Sequence, residues 1–143
     1  MGRWFEAWSA ALLAATLLGA GAARGQAPLL PPGIPPEARL PVVAILPDAL
    51  GQDGRETPYI DRLLGLGFAV LLLEEDRLPA LPPPLDPARL GLLGFGAGGR
   101  AALAMAGAAP RVALYPACAG WSQARPAAGS LILHPDTPAE AAA

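Results

Sequence analysis

Eighteen prolines sit in this 143-residue chain, and where they fall decides what it can fold into. A proline has no backbone N–H to donate and fixes φ at about −65°, so it ends helices and stays out of sheet interiors. Here the prolines gather between short apolar runs and punctuate them. Those at 28, 31, 32, 35, 36 and 41 make residues 26–40 an extended, polyproline-like arm that leads into the first apolar run. Those at 79, 82, 83, 84 and 87 fill the stretch between two later runs, leaving no room there for a helix.

The runs themselves alternate in character. Residues 41–46 (PVVAIL) are continuously apolar and rich in β-branched side chains, the pattern of a strand buried on both faces of a parallel sheet. Residues 58–66 (PYIDRLLGL) put Tyr59, Ile60, Leu63, Leu64 and Leu66 at helical spacing, with Asp61 and Arg62 outward. Pro58 suits a first helical turn and Gly67 a helix stop. Residues 68–73 (FAVLLL) form a second strand, 89–95 (RLGLLGF) a third, 98–109 an Ala-rich helix, 111–115 (RVALY) a fourth strand and 130–134 (SLILH) a fifth, ended by Pro135. This alternation predicts an α/β fold, a doubly wound and mostly parallel sheet of about five strands. Residues 77–87 become a proline strap in place of the usual crossover helix. Two helices cover a five-stranded sheet thinly, so exposed FAVLLL and RLGLLGF would invite association unless the arm, the strap or a second copy covers them.

Composition removes several function classes. The chain is 53% hydrophobic and 15% charged, which excludes a disordered polyelectrolyte. Its ten basic residues, all Arg, face twelve acids, so no basic field exists to hold nucleic acid. One Cys and one His exclude an intrachain disulfide, a cysteine zinc cluster and a multi-histidine metal site, and no cofactor is implied.

Arg3 precedes an uncharged Ala- and Leu-rich stretch over residues 9–23, short for a bilayer span and suited to a signal-peptide core, with Ala23 and Gly25 placed for cleavage after Gly25. Residues 1–25 are expected to be a signal peptide, an uncleaved anchor being the other reading. The mature protein is then periplasmic or secreted, has no stable membrane span, and divides into the arm at 26–40 and a partial domain at 41–143. Cys118 is left as a lone thiol in an oxidising compartment.

Residues 92–100 read LLGFGAGGR, a strand passing through Gly94, Gly96, Gly98 and Gly99 into a helix. A strand-to-helix turn of this kind presents its central residue where helix-terminal N–H groups converge. With LPDALGQDGR after the first strand, YIDRLLGLGFAVL, DPARLGLLGFGAGGRAAL around the turn, and ALYPAC after the next strand, the chain resembles the dienelactone hydrolase family of the α/β-hydrolases over residues 41–139. By that resemblance Gly96 stands at the nucleophile position, vacant of a side chain. The Ala97 backbone N–H would be one oxyanion donor and a backbone N–H at Asp48 or Ala49 the other, with Asp136 the candidate acid. The family's catalytic His follows one further strand, for which the nine residues after His134 leave no room, so His134 reads as a strand-end side chain.

No other residue takes over the nucleophile's part in the sequence. Cys118 reads as a structural thiol, Ser122 as loop and Ser130 as the start of a strand. Glu74, Glu75 and Asp76 read as a solvated strand end, because adjacent side chains in an extended segment point apart. Tyr115 and Trp121 either line a pocket at the sheet's carboxyl edge or pack at its rim.

The leading expectation is therefore an exported relative of ester and lactone hydrolases without its own catalytic machinery, retaining a small ester, lactone or carboxylate as ligand. Its oligomeric state, homo-oligomer included, stays open. Three other readings stay open as well. One is a weakly active ester or lactone hydrolase with a non-standard nucleophile. Another is a truncated, non-functional reading frame. The third is a dinucleotide-binding module, since Gly94, Gly96 and Gly99 spell G-x-G-x-x-G, although Tyr115 and Pro116 stand where that motif wants an acid.

Overall fold

The computed structural model describes residues 27–74, 77–106, 110–117 and 129–134. The expected signal segment, Glu75, Asp76, Cys118, Trp121, Ser122 and Asp136 lie outside the described residues. Seven elements follow in order: β1 (Leu40–Leu46), α1 (Thr57–Gly65), β2 (Ala69–Leu72), β3 (Leu85–Phe95), α2 (Gly96–Ala104), β4 (Arg111–Leu114) and β5 (Ser130–Leu133). The strands form one sheet in the order β2-β1-β3-β4-β5, and every neighbouring pair is parallel. The alternation read from the sequence is thus an α/β fold. Strand order reverses between β1 and β3, which makes their carboxyl ends the topological switch point where open α/β sheets hold ligands.

Alternate side chains of β1 feed two cores, as period-2 geometry requires. Leu40, Val42, Ala44 and Leu46 join Ala69, Leu71, Leu90, Leu92 and α2's Ala102 on one face. Ile45 joins Val70, Leu93, Phe95 and Leu114 on the other, against Ile60, Leu63 and Leu64 of α1. The helices therefore lie on opposite faces, and the sheet is doubly wound. Val42, Ile45, Leu46 and Val70 are fully buried, each contributing roughly 1.5–3 kcal/mol of transfer free energy.

The face that carries α2 is completed by the proline-rich segments. Ile34 and Ala38 of the arm and Leu78 and Leu81 of the strap pack on its core. The arm and strap thus help bury Leu71, Leu90 and Leu92 on this face, while Val70, Leu93 and Phe95 are buried on the other face against α1. The arm also does what its prolines were expected to prevent. Leu29, between Pro28 and Pro31, keeps its N–H and donates to the Val70 carbonyl at 2.8 Å, while the Val70 N–H donates back at 2.9 Å. This antiparallel bridge covers the outer edge of β2.

Element ends depart from expectation where local signals mislead. β3 begins at Leu85, four residues early, because Leu40 pairs with Leu85 and Val42 with Leu90, so residues 86–89 bulge outward with Pro87 among them. The α2 helix starts at Gly96 instead of Gly98. Leu66, expected on the apolar face of α1, is exposed and serves as the helix's C-cap, while the Gly67 and Phe68 N–H groups close the last turn onto the Leu64 and Leu63 carbonyls. Arg111 is buried and donates to the Met105 carbonyl at 2.6 Å, a cation at the negative end of α2.

Candidate functional site: the strand-to-helix elbow

β1 and β3 end side by side, with Leu46 in register with Gly94. Asp48 lies just past β1, and Gly96 follows Phe95 at the end of β3. Phe95 is extended, and Gly96 has φ of +51°, a left-handed conformation that turns the chain abruptly into α2. The helix is drawn in close: a Cβ on Gly98 would run into the Leu46 and Pro47 carbonyl oxygens. Only a residue without a side chain lets the α2 N-terminus approach β1 this way.

That approach brings the Ala97 N–H onto the oxygen atom of Asp48 to which the neighbouring Ala49 N–H also donates. Ala97 donates to Asp48 Oδ1 at 2.9 Å and Ala49 donates to the same atom at 2.7 Å. The two backbone donors named from the sequence thus converge, and what they hold is a side chain of the protein itself. A Cβ built on Gly96 would meet Asp48 Oδ1, Cγ and Oδ2. The Asp48 carboxylate fills the space that any side chain at position 96 would need.

The second carboxylate oxygen faces Arg55, whose Nη2 donates to Asp48 Oδ2 at 3.2 Å. Arg55 is itself held by Asp53, with Nε donating to Oδ2 at 2.7 Å. The N–H of Ala97, with that of Ala49, holds the Asp48 carboxyl below the usual carboxylate range; Arg55 adds to this and partial burial opposes it. Asp48 is therefore an anion at neutral pH, seated at the positive end of a helix. Sequence reading assigned this neighbourhood only a backbone donor; the Asp48 side chain and Arg55 were missed.

The crevice continues as a cavity of about 270 Å³ bordered by Leu46, Pro47, Asp48, Leu73, Glu74 and Gly98. A larger cleft, about 560 Å³, lies between arm and strap by Ile34, Pro36, Pro84 and Leu85. It opens near the amino ends of β1 and β3, away from the elbow, and its lining carries Glu37 and Arg39 but no Ser, Cys or His.

The remaining sequence candidates stand apart. Phe95, Leu114 and Leu133 share a register, so the backbone of His134 is two strand spacings, about 10 Å, from that of Gly96. Tyr115 is exposed and not among the residues bordering the elbow cavity. Ser130 opens β5, as read. Among the described residues there is no metal-ligating cluster, and no helix is long and apolar enough to cross a membrane. No protein-family model matches the chain, and no curated protein matches it. The resemblance drawn from the four sequence blocks accordingly rests on those residues alone.

Proposed function

We propose that this chain is an exported, dienelactone-hydrolase-like α/β protein that does not hydrolyse esters or lactones and whose elbow has become a filled anion seat. One observation carries the reading: the Asp48 carboxylate occupies both the backbone donors and the side-chain space of position 96. Ester hydrolysis at such an elbow needs a nucleophile there, a base to take its proton, and free donors for the developing oxyanion. Gly96 supplies no nucleophile, and the donors already hold a full negative charge. The dinucleotide reading meets the same obstacle, because a pyrophosphate at the start of α2 would be repelled by Asp48. With Asp48 seated, a small neutral ester or lactone is the ligand class for the crevice, and a small carboxylate enters that class only by displacing Asp48 from the two donors.

The test is turnover of p-nitrophenyl acetate and a γ-lactone by the purified wild-type protein beside Asp48→Asn. The expected result is no hydrolysis above buffer in either protein. Wild-type turnover that disappears in Asp48→Asn would overturn the reading in favour of a carboxylate acting as an unconventional nucleophile or base.

A further inference from the structure

We propose that Asp48 is an autoinhibitory contact: its carboxylate occupies the Ala49 and Ala97 N–H groups on the wall of the switch-point crevice, and the carboxylate of a small acid reaches those groups only when Asp48 has left them. The inference rests on reading the elbow as a vacated site, and its test does not depend on turnover.

Three observations support it. The contact is a fitted one, since the Gly96 side-chain space and Asp48 are mutually exclusive. What fills the seat is itself a carboxylate, with both N–H groups on one oxygen and a guanidinium on the other, so the seat is already matched to that group. The segment bearing the plug is also lightly held. Asp48 belongs to a tight turn closed by the Gly51 N–H donating to the Asp48 carbonyl at 2.9 Å, Ala49 at its tip is exposed, and Leu50 beside it is 98% exposed. No apolar side chain anchors the tip, so swinging the carboxylate out costs chiefly its own polar contacts. Beside it lies the cavity of about 270 Å³, bordered by Asp48, Ala97 and Glu74 together, with room for a small acid.

The test uses sodium formate, with sodium chloride at equal ionic strength as control, on the wild-type chain and on Asp48→Ala. Formate should raise the unfolding midpoint of Asp48→Ala saturably, and chloride should not. Formate should also shift the Ala49 and Ala97 amide resonances of that variant, and leave those of the wild type unmoved. A wild-type protein whose two amides respond to formate as strongly as the variant's has no plug, and a folded Asp48→Ala that ignores formate has no seat; either result overturns the inference. Folding of Asp48→Ala only in formate supports it. If Asp48→Ala fails to fold at all, Asp48→Asn takes its place, because formate then competes with a neutral acceptor and should shift the same two amides. Their silence would overturn the proposal.

Discussion

Asp48 and Gly96 form a complementary pair, and each explains the other. Glycine at 96 supplies the left-handed φ and the empty volume, and Asp48 fills that volume and satisfies the N–H groups the turn exposes. The account predicts a strong coupling between them. Gly96→Ala in the wild-type background should cost about 2 kcal/mol or more, combining left-handed strain with the clash against Asp48. In an Asp48→Gly background the clash is gone, and the cost should fall to about 1 kcal/mol. Urea unfolding of the four proteins checks this, and additive effects would show that the two residues do not meet. The glycine-rich turn was legible in the sequence because glycines between an apolar run and a helical segment have few other uses. Its occupant was not, because Asp48 and Ala97 are 49 positions apart and meet only through the register of β1 and β3.

At the scale of elements, β1 was placed within one residue because a β-branched run leaves little choice. The start of β3 was misread because Pro87 looks like a break, whereas in the sheet it sits on an outward bulge where no ladder donor is needed. The bridge from the arm to β2 was invisible because one residue between prolines carries no periodicity. That bridge has a testable role as edge protection. Leu29→Pro removes the donor to Val70 and should cost about 0.5–1.5 kcal/mol. It should also produce concentration-dependent association measurable by sedimentation, which Leu29→Ala, keeping the N–H, should not. Gly98→Ala probes the seam between α2 and β1. Its methyl would strike the Leu46 and Pro47 carbonyls, so a loss of about 2 kcal/mol or more is expected in the same urea assay.

Over the whole molecule, the proline segments do the covering that helices do in larger α/β sheets, which lets this short chain bury both faces of its central strands. The Asp48 seat ties the two halves of the sheet together at their carboxyl ends and gives the fold an acid dependence. With its folded pKa held below the ordinary 3.8, Asp48 contributes stability that is fully present above about pH 4 and is lost as pH falls through the folded value. Asp53 and Asp86 shift in the same direction through Arg55 and Arg89, so the slope is shared among them. Asp48→Asn should therefore flatten the acid limb of stability against pH without abolishing it. The most direct check on the seated carboxylate is an NMR titration of the wild-type protein that follows the Asp48 carboxyl carbon and the Ala49 and Ala97 amide protons together. The account predicts that all three move with one midpoint, below 3.8. An Ala97 amide that stays flat while the Asp48 carboxyl titrates at its ordinary value would contradict it.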